Sequence, residues 1–165
     1  MTEKIEAIGF VHAIRPHAED DFWGGEEACI ALTERFTAEA LAGVTEFSHV
    51  GILFLFHEVE PSKIVTGARH PRNNQEWPAV GIFAQRGKNR PNRIGSTICR
   101  VVRVEGTRLF VAELDAIDGT PVLDIKPVMA ESFRGKRYAS LPGRTSSCVS
   151  IGPGKVELEH ILIEG

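Results

Sequence analysis

Residues 47–56, FSHVGILFLF, carry apolar side chains on both alternating faces of an extended segment, the pattern of a strand covered on two sides. Such a strand belongs in the middle of a core, so the rest of the chain must supply strands to surround it. Candidates are present. Residues 6–14 (EAIGFVHAI) are rich in apolar and β-branched types and stop at Arg15-Pro16, and residues 29–32 and 79–84 give two shorter segments. Residues 94–104 and 108–114 read as a hairpin turning at Glu105-Gly106. Residues 122–128 resume after Gly119-Thr120-Pro121, and residues 155–163 (KVELEHILI) supply a last strand. A helical turn is predicted at residues 38–42, between Thr37 as cap and Gly43 as terminator. Strands at short intervals with one or two short helices predict a mainly β chain, an antiparallel β-barrel or sandwich.

A chain of 165 residues can bury one core and is short for two ordinary domains, so residues 1–165 are expected to form a single domain. The charged start Met1-Thr2-Glu3-Lys4 leaves no room for the apolar run of a secretory signal, and no segment has the apolar length of a membrane span. A cytoplasmic protein without membrane association is expected. Cys29, Cys99 and Cys148 are odd in number and widely spaced, which argues for reduced thiols rather than a disulfide framework or a zinc clip. The six histidines show no metal-ligand spacing, so no metal site is expected. A net charge of −3 excludes the overall positive field of a dedicated nucleic-acid binder. No DNA partner is expected, and any RNA contact has to be local.

Two blocks stand out. In residues 81–95 (GIFAQRGKNRPNRIG) a strand runs into a loop bearing Arg86, Lys88, Arg90 and Arg93, stiffened by Pro91. Arginines held beside a strand end can grip a carboxylate or phosphate with forked hydrogen bonds; the plain alternative is a solvated basic turn. In residues 114–127 (LDAIDGTPVLDIKP) three aspartates flank a tight turn. Asp118 reads as a turn cap, whereas Asp115 and Asp124 lie in apolar runs where a carboxylate needs a partner such as Lys126 or an arginine.

Of the histidines, His49 reads as a satisfied core residue and His57-Glu58, at the end of the apolar strand, as a ligand candidate. The polar stretch 61–78 has the length of a functional loop. Phe22-Trp23-Gly24-Gly25 is apolar enough to cover a ligand. Arg134, Lys136, Arg137 and Arg144, interleaved with Phe133 and Tyr138, either stack on bases and track a phosphate backbone or form a solvated loop. No strand leads into a G-x-G-x-x-G, Gly154-Lys155 lacks the rest of a P-loop, and no Gly-x-Ser-x-Gly elbow occurs. Dinucleotide enzymes, P-loop kinases and serine hydrolases of the elbow type are thereby disfavoured.

Glu46-Phe47-Ser48-His49, the Phe56-His57 pair, the block from Gly81 to Gly95 and the block from Leu114 to Pro127 occur in the order seen in the TrmO/TsaA family, which the chain resembles over roughly residues 5–130. The resemblance implies a β-barrel, a homodimer with S-adenosyl-L-methionine near the subunit interface, and methylation of N6 of a threonylcarbamoylated adenosine beside the tRNA anticodon. By the same resemblance the cofactor contacts are His57, Glu58, Arg86, Ser96 and the turn Asp115, Ala116, Ile117 and Asp118. Asp115, Asp124 and Lys126 are the implied catalytic candidates, and Lys88, Arg90, Asn92 and Arg93 the implied substrate contacts. The chain departs from the family pattern at Arg93, where the second proline of Arg-Pro-Asn-Pro-Ile-Gly is usual, at Gln85 for threonine and at Val128 for tyrosine. It resembles a short form without the additional C-terminal domain of longer members. Two other readings stay open: a methyltransferase of this fold acting on a small molecule or another RNA, and a module that holds S-adenosylmethionine without turnover.

Overall fold

The computed structural model describes residues 4–12 and 27–129. Six strands close into an antiparallel barrel in the order β1 (Gly9–His12), β2 (Glu27–Leu32), β7 (Arg108–Ala112), β6 (Ile94–Glu105), β3 (His49–Leu55) and β8 (Pro121–Pro127). Two further short strands, β4 (Ala68–Arg69) and β5 (Val80–Gly81), form a separate ribbon within the long excursion from β3 to β6. The expected segment 155–163, the Phe22-Trp23-Gly24-Gly25 tetrad, Cys148 and the basic stretch from Arg134 to Arg144 lie outside the described residues.

The predicted central strand is there, but its two faces differ. Val50, Ile52 and Phe54 are fully buried inside the barrel, whereas Gly51, Leu53 and Leu55 on the outside are half-buried. Closure of the sheet explains this, because a barrel strand has one packed interior face and one exterior face. Val11, Ile30, Cys99, Leu109, Val111 and Val122 complete the interior. Gly95 makes room for it: a Cβ there would lie 2.5 Å from the Phe54 ring. β6 reaches two neighbours by its length, pairing with β3 from Ile94 to Arg100 and with β7 from Arg100 to Glu105, with an irregularity between Val101 and Arg103. The expected hairpin turn is also present, with Gly106 at φ 59°, a conformation that favours glycine.

The two barrel ends are closed differently. At one, residues 113–120 cross from β7 to β8 and press Leu114, Ala116 and Ile117 into the opening. Val11 N–H donates to Thr120 O at 2.9 Å and Gly119 N–H to Val11 O at 2.8 Å, which holds this plug on β1. At the other, residues 33–48 carry two 3-10 turns, Ala38–Leu41 and Val44–Glu46. The helical turn expected at 38–42 is therefore tighter than an α-helix, in keeping with a segment too short to nucleate one. Leu41 is buried there, and a cavity of about 410 Å³ remains, walled by Ile8, Leu32, Phe36, Val44, Phe47, Val50 and Ile125. The strand expected at 79–84 is cut to Val80–Gly81, because Ile82–Ala84 tightens into a 3-10 turn.

Candidate functional site at the motif-bearing end

β3 ends, β6 begins and β8 begins at the same end of the barrel. Residues 56–60, 85–93 and 113–120 therefore leave or enter the barrel at that end, and they contain His57, Glu58, Arg86, Lys88, Arg90, Asn92, Arg93 and Asp115 to Asp118. The first two loops are tied directly. Phe56 N–H donates to Arg93 O at 2.8 Å, and Arg93 Nη1 donates to Val59 O at 3.0 Å. His57 and Glu58 lie in the turn between these two anchors, which Val59 N–H closes onto Phe56 O at 3.3 Å.

The basic loop is folded by its own arginines. Arg90 Nη1 donates to Gln85 O at 3.1 Å, Arg93 N–H to Arg90 O at 2.9 Å, and Arg86 Nη2 to Ser96 O. Arg90 and Arg93 are half-buried, while Arg86, Lys88 and Asn92 are exposed. Gln85 locks the loop to the β4–β5 ribbon, its Nε2 donating to Val80 O at 2.7 Å and to Arg69 O at 3.1 Å. Side-chain donors on backbone carbonyls fix a loop that has few apolar contacts of its own.

The remaining predicted residues lie on the outer barrel wall. Leu53 is paired with Ser96 on β6 and with Asp124 on β8, and directly opposed residues share a sheet face. Ser96, Leu53 and Asp124 thus form one row, and Ile98, Gly51 and Lys126 the next. Asp124 and Lys126 form an ion pair at 2.7 Å, which answers the need for a partner inferred from the sequence; the pair is too exposed to contribute more than about 1 kcal/mol to stability. Arg86 links this wall to the loops through Ser96 O.

Asp115 stands apart from Asp124 and Lys126, on the plug with Asp118, both exposed. Ala116 and Ile117 face the core, so what they present to a ligand is backbone. The carboxylate of Asp115 is nonetheless felt inside: burial first, then the charges of Glu113 and Asp115, push the Cys99 thiol up to about 12. Burial also raises Cys29. His49 is not the core residue expected: it is half-buried on the outer face of β3 with Gly51 and Leu53, its Nδ1 lying 3.0 Å from Ser48 Oγ. The cavity at the far end meets the predicted residues only at Asp124 and is otherwise apolar except for Glu46. The polar chemistry is concentrated at the motif-bearing end.

Residues 18–132 match the family of the tRNA-methyltransferase O N-terminal domain. The chain belongs to this family. In the tRNA-methyltransferase O family it is similar to the mouse tRNA (adenine(37)-N6)-methyltransferase, 36% identical over 175 residues that cover 92% of this chain and 40% of the relative. It is similar to the enzyme of the same name from Escherichia coli, 34% identical across 77% of this chain and 57% of the relative. It is also similar to a Rhizobium radiobacter protein named "Probable S-adenosyl-L-methionine-binding protein VirR", 44% identical across 54% of this chain and 49% of the relative. The barrel aligns with the crystal structure of TrmO from Pseudomonas aeruginosa at a TM-score of 0.63 and 31% identity, over 83% of this chain and 62% of that one. The chain thus spans about two fifths of the mouse relative and three fifths of the solved family structure.

One feature of this site was missed in the sequence, and the extent of another was understated. Phe83, on the turn before Arg86, is 79% exposed. Residues 61–93 hold seven basic side chains against the single acid Glu76, although the whole chain is net −3. Summing charge by segment rather than over the chain exposes that concentration.

Proposed function

We propose that the chain binds S-adenosyl-L-methionine at the motif-bearing end of the barrel and transfers its methyl group to N6 of a threonylcarbamoylated adenosine beside the anticodon of a tRNA. The observation that carries this reading is the convergence on one barrel end of three loops that are far apart in sequence, each holding a family motif, two of them joined at Arg93. The names of the mouse and Escherichia coli relatives support N6 of a tRNA adenine as the acceptor, and the name of the Rhizobium radiobacter relative supports the cofactor. The surplus of six positive charges in residues 61–93 supports an RNA partner, since phosphate neutralisation supplies most sequence-independent affinity.

The donor set fits the cofactor. Arg86 can fork onto its carboxylate, Glu58, Asp115 or Asp118 can accept from its ammonium or ribose hydroxyls, and the backbone of Ala116 and Ile117 can meet its adenine edge. When bound, the sulfonium supplies an activated methyl group. Its transfer to N6 would release the N6 proton. The residues' task is to align the attacking nitrogen and take that proton, for which Asp115 and Asp124 are the candidates, Lys126 holding Asp124 in place. Lys88, Arg90, Asn92 and Arg93 belong to the RNA-facing loop.

The chain acts as a homodimer in the cytoplasm in this reading. Support for self-association comes from the outer wall, where Ile98 is 49% exposed beside Gly51 and Leu53. No helix among the described residues is long and apolar enough to cross a membrane.

The first experiment is calorimetric titration with S-adenosylmethionine, repeated with Arg86→Ala. Loss of a charged hydrogen-bond donor of about 1.5–3 kcal/mol predicts roughly 10–100-fold weaker binding. Absence of binding to the intact chain refutes the reading. Transfer of labelled methyl to tRNA in a single turnover then separates the enzyme from a binding module, which the name of the Rhizobium radiobacter relative keeps in play. Transfer to a small molecule or another RNA, but not to tRNA, would move the acceptor.

A further inference from the structure

Arg93 has two unusual properties. Its backbone is left-handed at φ 53°, a conformation that proline, fixed near −65°, cannot adopt. Both anchors of the 56–59 turn also converge on it: the carbonyl accepts from Phe56 N–H at 2.8 Å and the guanidinium donates to Val59 O at 3.0 Å. The turn has few other means of support. Val59 is buried and Phe56 packs edge-on against Phe54 at 5.2 Å, but between them His57 is half-buried and Glu58 exposed, so burial holds the two ends of the turn and not its tip.

We propose that Arg93 is a positioning residue, a clip that sets the 56–59 turn and with it His57-Glu58 against Arg86. This rests on the proposed cofactor site for its functional consequence, but the clip itself does not. One donor of the half-buried guanidinium is committed to Val59 O. A left-handed arginine is tolerated when such contacts over-determine it, and backbone strain of this kind is known to persist where a site needs a fixed geometry.

Arg93→Gly removes the side-chain anchor while leaving φ 53° accessible, since glycine adopts that conformation freely, with some added backbone freedom. The expected result is a folded chain, faster amide exchange confined to residues 57–59, and S-adenosylmethionine binding weakened about five- to tenfold, less than for Arg86→Ala because Arg93 acts through the turn rather than on the cofactor. Arg93→Lys, which can still reach Val59 O with one donor, is expected to recover most of that affinity. Arg93→Pro is expected to free the whole turn, with exchange also rising at Phe56. Unchanged exchange at 57–59 in Arg93→Gly, or a proline variant indistinguishable from wild type, overturns the clip. Faster exchange without any cofactor binding by the wild type keeps the clip and refutes the cofactor site instead. Altered exchange with wild-type affinity in Arg93→Gly overturns the positioning role.

Discussion

The two ends of the barrel are built from opposite materials. The far end is covered by apolar side chains of residues 33–48 around Leu41, which wall a half-open groove of about 410 Å³. At the motif-bearing end, the 113–120 plug seals the core with Leu114, Ala116 and Ile117, and outside that seal polar loops are held almost wholly by directed bonds to carbonyls. Burial is non-directional and tolerates gaps, whereas a hydrogen-bonded loop fixes where its groups point. Stability and positioning are thus assigned to different ends, and variants at each should move different observables.

The largest expected effect is at the far end. Leu41→Ala should lower unfolding free energy by about 2–3 kcal/mol, toward the low side for such truncations because the groove beside it is already open, with cofactor affinity unchanged. Denaturant melts and calorimetry on the same sample check both halves; a parallel loss of affinity breaks the division. Gly95→Ala, which drives a methyl against the buried Phe54 ring at the start of β6, should cost about 1–3 kcal/mol by overpacking and should also weaken binding, because Ser96 follows directly.

Alkaline titration gives a separate signal. The Cys99 thiol is raised to about 12 by burial, from an ordinary value of 9.0. The folded state therefore keeps a proton that the unfolded state has lost between those limits. The stabilisation that this proton gives is complete below pH 9 and is lost as pH rises through 12. Melts from pH 8 to 11 should show the decline, and Cys99→Ala should flatten it. Smallest of all, Lys126→Ala should change stability by under about 1 kcal/mol, since its ion pair with Asp124 is exposed. If methyl transfer falls while stability and cofactor affinity stay put, the outer wall belongs to the site.

Much of the barrel was readable because strand alternation is local: β3, the Glu105-Gly106 turn and β8 fall where residue type and period place them. The shortened β5 was not, because its end is set by Gln85 reaching back to Val80 O and Arg69 O, bonds between residues that periodicity does not connect. Among site residues, the partnership of Asp124 with Lys126 was foreseeable from their i, i+2 spacing on one strand face. The reach of Arg93 to Val59, across 34 positions, was not.

The sequence by itself determined a mainly β chain with one core, the family, and the residue types of a polar site, because hydrophobic period, turn chemistry and motif order are written along the chain. Tertiary structure alone decided which of those residues meet. Closure of the barrel brought the ends of β3, β6 and β8 together, turned Ala116 and Ile117 inward and Asp115 outward, and gave the guanidiniums of Arg86, Arg90 and Arg93 backbone carbonyls as partners. Pairing register and side-chain reach depend on distances in space, which spacing along a chain does not encode.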